Sequence, residues 1–324
     1  MNTIPSIFNE RQINHTVLGG EEVPAGEILM PVTCVVLNRG SGQYRERVFE
    51  GLCRKGFERI ISVESDSQSF KTEPLARRFP QVKFMVALEE GITEGDMLNL
   101  AVSECQSPYM LVVHSDQCAD DISFSPGLAH SLMERDQFCV CPRLMAERFK
   151  NLPVGFEPGV ERSVFTVRSL DVSSDGDSTF YAADLSGFYD RLRFAQLGGM
   201  DYTITNPYWQ RLDLFFRAWL WGESTSLSQV FALSYSDTVP ENDISIDRSY
   251  LRFYMKNLLP VFRADHAFIP ASSFFAFKSS SSCSLKDAAR QFREARRWVS
   301  LNRYRFKKDA QSLIENWQSK GGGK

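Results

Sequence analysis

The sequence predicts an α/β fold built on a mostly parallel sheet. Three observations lead there. Short apolar runs rich in β-branched residues recur between residues 31 and 116, and each stops at turn chemistry. Segments with apolar residues three or four apart lie between them. The connections are short and polar, as in βαβ units whose strands are buried on both faces.

Residues 1–30 are polar, with Gly19-Gly20 and Pro24, and read as an arm. Residues 31–37 (PVTCVVL) form the first strand, ended by the turn residues 38–42. Tyr44, Val48 and Leu52 mark a helix, with Gly56 placed as its C-cap. Strands follow at 58–64, 82–88 and 108–113. A short helix from Thr72 to Phe79 and a stripe of Met97, Leu98, Ala101 and Cys105 fill the gaps. Ser125-Pro126 opens another helix, which leads to a strand over 137–144. Residues 151–180 are rich in Pro, Gly, Ser and Asp and read as an extended excursion. Gly198-Gly199 is a turn, and Asn206-Pro207 opens a helix to Trp221 closed by Gly222. Residues 248–263 read as helical, 279–282 as a serine linker, and Leu285 to Trp317 as one long terminal helix.

Composition narrows the function. Apolar residues at 43% and charged residues at 24% exclude disordered and collagen-like chains. The net charge of −3 lacks the basic field of nucleic-acid binders, so no nucleic-acid partner is expected. Seven Cys without a C-x-x-C pair argue against a disulfide scaffold or a structural zinc site. The N-terminus has no basic flank before an apolar stretch, and no apolar run approaches about 18 residues. A cytoplasmic protein is expected, or one peripheral on the inner face of a membrane.

In open α/β sheets, ligands bind outside the C-terminal ends of the strands. Polar clusters fall at those ends: Asn38-Arg39, Glu64-Ser65-Asp66 and His114-Ser115-Asp116. A phosphate-binding G-x-x-x-x-G-K-[ST] loop, a G-x-G-x-x-G turn and a G-x-S-x-G elbow are all absent from the sequence. An acid at a strand end, with a polar group two residues earlier, can hold a divalent cation against phosphate oxygens. The alternative for Asp116 is a turn in which it caps backbone amides.

In order and spacing, residues 31–116 resemble the nucleotide-binding half of family-2-type inverting glycosyltransferases of GT-A fold. The resemblance runs from Asn38 through Glu64-Ser65-Asp66 and Asn99 to a D-x-D-like triplet at His114-Ser-Asp116. A second match lies at 198–222. There Gly198-Gly-Met-Asp201 is similar to a Gly-Gly-Phe-Asp turn, and residues 209–217 (WQRLDLFFR) resemble a Glu-Asp-x-Asp-Leu…Arg acceptor-side helix. The resemblance implies a GT-A-like (Rossmann-like) mixed sheet flanked by helices. It implies a nucleotide-binding half over 31–120, an acceptor half over 121–265 and a helical extension over 266–324. It also implies transfer of a sugar from a nucleotide sugar, a UDP-sugar above all, to the hydroxyl of a glycan or lipid-linked acceptor, in envelope polysaccharide or glycolipid synthesis. Mn2+ or Mg2+ is the implied cofactor.

By position, the resemblance gives Asn38, Glu64, Asp66, Asn99 and His114 the nucleotide sugar and Asp116 the metal. His266 is matched to a late histidine metal ligand, or is a surface residue. His114 stands where the family has an acid, so it is a ribose or metal contact, or a buried, satisfied histidine. The family's Glu-Asp pair is Gln210-Arg211 here. Asp213 remains as the catalytic base, unless it only pairs with Arg217 four residues on. Asp184 and Asp201 are the substitute carboxylates. A non-catalytic relative that binds a nucleotide sugar or a partner is the competing function. Residues 285–308 hold many cations and several aromatic or apolar residues. They either lie on an anionic membrane or form a solvated helix.

Overall fold

The computed structural model describes residues 11–39, 45–65, 72–117, 122–146, 150–161, 164–170, 174–236, 239–281 and 284–317. The chain enters on β1 (His15–Gly19) and a 3-10 turn, then runs β2 (Met30–Leu37), α1 (Arg45–Cys53), β3 (Phe57–Ser65), α2 (Thr72–Arg78), β4 (Val82–Ala87), α3 (Glu94–Glu104) and β5 (Tyr109–His114). After a second 3-10 turn come α4 (Pro126–Met133), β6 (Cys139–Ala146), β7 (Lys150–Asn151), β8 (Phe156–Glu161), β9 (Val164–Ser169), β10 (Gly187–Asp190), α5 (Arg191–Gln196), α6 (Pro207–Trp221) and β11 (Thr225–Ser234). The C-terminal part holds α7 (Arg248–Phe253), a π-helical turn (Tyr254–Leu258), β12 (Val261–Arg263), β13 (His266–Phe268), α8 (Ser273–Ser280), α9 (Leu285–Asn302) and α10 (Ala310–Glu315).

Among the described residues, nine strands form one sheet in the order β1-β4-β3-β2-β5-β10-β6-β11, with β7 against β6. Strands β4, β3, β2 and β5 are parallel. Their side chains are sealed on both faces; Val32, Cys34, Val35 and Val36 have no exposed surface. Strand β1 runs antiparallel on the β4 edge, and β10 is wedged antiparallel between β5 and β6. Helices pack against this sheet, and an aromatic cluster of Phe165, Phe180, Phe216 and Phe253 extends the core beneath α6.

Local chemistry explains the helix ends. The Asn206 side chain accepts from the Tyr208 and Trp209 amides, Pro207 opens α6, and Gly222 closes it at φ +94°, which a glycine adopts without strain. Thr93 and Asp96 form a reciprocal capping box at the start of α3, with bonds of 3.1 and 3.0 Å. That box places Glu94 at the helix tip.

Four local expectations change. The arm over 1–30 contributes β1, because His15–Gly19 finds the open edge of β4. The serine run does not begin a linker at 279, since α8 extends to Ser280. Residues 248–263 are not one helix but α7, a π turn and β12, and β12 pairs with β13 across residue 265. The terminal helix breaks after Asn302. Phe306 is drawn into the core against Trp221 and Trp298, and Asp309 then caps α10 by accepting from the Ser312 amide.

Candidate active site

Strand β2 has β3 on one side and β5 on the other, so chain order reverses between β2 and β5. Loops leaving such neighbours diverge and open a crevice at the strand ends. Asn38-Arg39 leaves β2 there, and the turn Ser115–Gln117 leaves β5. The tip of α3 and the segment before β10 bring Glu94 and Asp184 to the same place.

Arg39 is the hub. Its Nε and Nη2 donate to Asp116 Oδ2 and Oδ1 at 3.1 and 3.2 Å. Its Nη1 and Nη2 donate to Asp184 Oδ1 and Oδ2 at 3.0 and 2.7 Å, and Nη1 reaches Glu94 Oε1 at 3.4 Å. The guanidinium also lies 5.9 Å from the Tyr235 ring centre. Burial works against its charge, but the Asp184 hydrogen bonds and the attraction of Asp184, Asp116 and Glu94 raise its pKa further above that of a free arginine.

Asp184 collects more donors than any other acid of the site. Arg211 Nη1 and Gln117 Nε2 each donate at 3.2 Å, and the Tyr235 hydroxyl at 2.6 Å. Burial pushes the Asp184 carboxyl up, but His114, Arg39 and Arg211 outweigh it and hold the group far below the usual carboxylate range. Burial and then Asp184 push the Tyr235 phenol up, so it stays a donor.

His114 is fully buried. Its Nε2 lies 2.9 Å from the Asp184 carbonyl oxygen. A carbonyl only accepts, so Nε2 carries the proton, and in the neutral ring Nδ1 holds the lone pair. That Nδ1 is sealed, has no hydrogen-bond partner and lies 4.0 Å from Glu94 Oε1. One ligand atom each from Glu94, His114 and Asp184 lies within 4.8 Å of the others. One imidazole and two carboxylates with an orphaned lone pair among them fit a divalent cation of the manganese or magnesium type.

The cluster forms one wall of a cleft of 410 Å³, which Tyr208, Arg211 and Asn242 also line. An adjoining apolar cavity of 230 Å³ is lined by Leu144, Phe156, Tyr181 and Tyr235, and shares Asp184 and Asn242 with the cleft. A charged wall beside an apolar chamber suits a ligand with an anionic part and a ring to be packed.

The residues singled out in the sequence divide. His114 and Asp116 are in the cluster, but Asp116, bound through both oxygens to Arg39, lies outside the Glu94–His114–Asp184 group. Asn38 stands beside the cluster, donating from Nδ2 to Glu64 Oε2 at 2.5 Å. Glu64 is sealed, held by Ser62 at 2.6 Å and Arg45 at 2.7 Å, so its carboxylate orients Asn38 and reaches no solvent. Asp66 lies outside the described residues. Asn99 clamps the Gly198–Asp201 turn instead of a phosphate: Nδ2 donates to Met200 O at 2.8 Å and Oδ1 accepts from Met200 N at 2.9 Å.

Asp213 and His266 are elsewhere. Asp213 has no exposed surface and is enclosed by Lys256 at 3.0 Å, Asn257 at 2.8 Å and Arg217 at 3.1 Å. The base role assigned to it therefore fails on geometry, since no acceptor hydroxyl can reach it. His266 sits in the β12–β13 hairpin against Asp265, Phe268 and Tyr304, outside the cation set. Trp209 is turned into the core, its indole donating to Ser245 O at 2.8 Å, and its neighbour Tyr208 lines the cleft.

Glu94, Gln117 and Tyr235 were not legible as site residues. The only sequence signal for Glu94 is its place just after a Thr93…Asp96 cap. Gln210 is buried, donating to Asp201 O at 3.0 Å, and it packs so closely on Gly95 that a Cβ there would lie 2.4 Å from its Oε1. The tip of α3 and the side of α6 thus meet across that glycine.

Fold and site together define an α/β domain with a charged cleft at the switch point of a mixed sheet. No protein-family profile matches the chain, and no curated protein does. Among solved structures, the chain is similar to GalNAc-T7 in its crystal structure with UDP, GalNAc and Mn2+. The TM-score is 0.56 at 10% identity, over 88% of this chain and 56% of that one. The chain therefore spans little more than half the length of that protein. It is also similar to S. aureus TarS 1-349 in complex with UDP-GlcNAc (TM-score 0.49, 12% identity, 82% of this chain and 71% of that one). For a S. aureus TarS structure the values are 0.47, 13%, 69% and 38%. The likeness to GalNAc-T7 shows the fold: this chain has a GT-A-like fold.

Proposed function

We propose that the chain is a glycosyltransferase that takes a sugar from a nucleotide-sugar donor, a UDP-sugar, and passes it to an acceptor hydroxyl. The observation that carries this reading is the cluster at the switch point, with Arg39, Glu94 and Asp184 on the wall of the 410 Å³ cleft and His114 sealed behind them. A diphosphate leaving group needs positive charge, and guanidinium groups suit phosphate oxygens in paired contacts. Arg39 and Arg211 supply that charge from the cleft wall. Glu94, His114 and Asp184 would hold a divalent cation, which when bound neutralises the developing charge on the leaving phosphate. Asn38, held by the sealed Glu64, would meet the nucleoside at the ends of β2 and β3. The acceptor would enter along the apolar chamber of Phe156, Tyr181 and Tyr235.

An inverting course needs a base on the far side of the sugar. Glu241 and Asp243 line the cleft, are exposed and stand outside the cation set, and this reading gives one of them that role.

Calorimetric titration with UDP and UDP-sugars, with and without Mn2+, tests the proposal. UDP should bind more tightly with Mn2+, and Asp184→Asn should remove that enhancement. Absence of binding by any nucleoside diphosphate under any divalent cation would end the reading. A second reading, a donor-binding relative without transfer, is favoured by Arg211 in the place of an acid and by its bond to Asp184. It predicts the same binding but no release of UDP from any donor and acceptor pair.

A further inference from the structure

Helix α9 presents two faces. Ala288, Phe292, Ala295 and Val299 are buried, and Phe292 packs against Phe274 and Phe277 of α8. Opposite them stand Lys286, Arg290, Arg293 and Arg297, spaced four, three and four apart, so they share one face. Arg296 flanks them and is exposed. Over 18 residues the helix spans about 27 Å at the usual rise.

The charge on this face is unbalanced. Residues 286–308 carry nine Lys or Arg and two acids in a chain whose net charge is −3. Both acids face arginines: Asp287 reaches Arg290 at 3.1 Å, and Glu294 reaches Arg252 at 3.5 Å. Among the described residues, no carboxylate forms an ion pair with Lys286, Arg293, Arg296 or Arg297. A solvated helix normally intersperses signs along its face.

Large apolar side chains stand exposed on α9 and on α8 beside it: Phe275 at 77%, Leu285 at 65% and Leu301 at 67%. Phe275 is left outside although its neighbours Phe274 and Phe277 pack inward on Phe292. The loop between cleft and helix carries two more, Ile244 at 65% and Ile246 at 69%. Pro240 to Asp243 of that loop line the cleft, while Ile246 to Arg248 line a groove of 700 Å³ shared with Ser284 and Arg290 at the start of α9.

We infer that this face is a docking surface for an anionic lipid bilayer. Phospholipid headgroups supply the negative charge that the unpaired cations lack, and the exposed Phe, Leu and Ile side chains suit the boundary between headgroups and acyl chains. The loop over 240–248 links this surface to the cleft, so a docked molecule would hold the cleft near the plane of the membrane. The inference stands on α9 and its neighbours and is independent of the donor reading.

Sedimentation of the full chain with vesicles tests it. One set is phosphatidylcholine alone, and the other is equal parts of phosphatidylcholine and phosphatidylglycerol. The chain should partition to the anionic set only, and less as salt shortens the range of the attraction. At roughly fivefold per cation near an anionic surface, the combined Lys286→Gln, Arg293→Gln, Arg296→Gln, Arg297→Gln variant should lose two to three orders of magnitude of partitioning. Its melting temperature should stay near that of the parent, because the four side chains are exposed. Replacing the three arginines by lysine should preserve binding, which separates charge from damage to the helix. Equal binding to both vesicle sets, or undiminished binding by the glutamine variant, would overturn the inference. So would release from anionic vesicles by single-stranded RNA at a charge ratio where free phosphate has no effect, since the partner would then be a nucleic acid.

Discussion

Asp213→Asn distinguishes a structural acid from a catalytic base. The substitution keeps the shape and the acceptor for Asn257, but removes the charge that faces Lys256 at 3.0 Å and Arg217 at 3.1 Å. Breaking a buried ion pair from one side costs about 3–5 kcal/mol, because the remaining charge is left uncompensated. Lys256 retains Asp201 at 2.7 Å and lies 4.6 Å from the centre of the Trp298 ring, and Arg217 retains the Leu197 and Gly199 carbonyls at 2.9 and 2.7 Å. The lower end, about 3 kcal/mol, is therefore expected. An unfolding entropy of about 2.1 cal/mol/K per residue gives about 0.7 kcal/mol/K for a chain of this length, so the loss corresponds to a fall of about 4 °C in Tm. Scanning calorimetry reads the fall, and titration with UDP and Mn2+ should show donor affinity unchanged. Arg217→Gln should destabilise at least as much, since it also forfeits two carbonyl bonds. An unaltered Tm for Asp213→Asn together with a hundredfold loss of transfer would refute the reasoning and return Asp213 to chemistry.

Other expectations follow from the same contacts. Asn99→Ala orphans the Met200 amide and carbonyl, at about 1–3 kcal/mol for each group left unpaired; faster amide exchange over 198–203, with donor binding kept, would show a clamp and not a phosphate ligand. The folded pKa of Asp184 is depressed, so its stabilising effect is complete above the unfolded value of about 4 and is lost as pH falls below it. Urea midpoints should therefore decline only below about pH 4, and Asp184→Asn should flatten that decline while lowering stability at neutral pH. Burial pushes the Cys53 thiol up to about 11, and burial with Cys141 nearby raises Cys139 well above the usual thiol range. Both should resist a disulfide reagent at neutral pH until the chain unfolds, read by mass spectrometry after partial labelling.

The helix over 207–221 shows where reading a sequence succeeds and where it stops. Its start and end are local: Asn206-Pro207 caps it and Gly222 ends it, and both act within a few residues. Which way its polar residues point is not local. Gln210, Arg211, Asp213 and Arg217 are all buried, and apolar residues surround them on every side of the helix. A helix without a polar face offers no period from which an inward face can be chosen. Arg211, at the position of the family's acid pair, came to the cleft, while Asp213, to which the base role was assigned, went to the interior. The break after Asn302 is similar. The periodic pattern continues past it, but burial of Phe306 against two tryptophans outweighs one more helical turn.

From its sequence alone, this protein is an α/β chain of four parallel strands, three of which end in polar clusters at Asn38, Glu64 and His114–Asp116. That much is legible because a strand buried on both faces needs an unbroken apolar run, and a polar residue breaks that run at the strand end. The tertiary structure alone decided which groups meet there. Glu94 comes from a helix tip, Asp184 from the entry to an antiparallel strand 70 residues beyond His114, and Arg39 bridges them. No spacing in the chain encodes those meetings. They arise where β10 wedges between β5 and β6 and the loops of β2 and β5 diverge, and contacts that distant in sequence exist only once the sheet has closed around them.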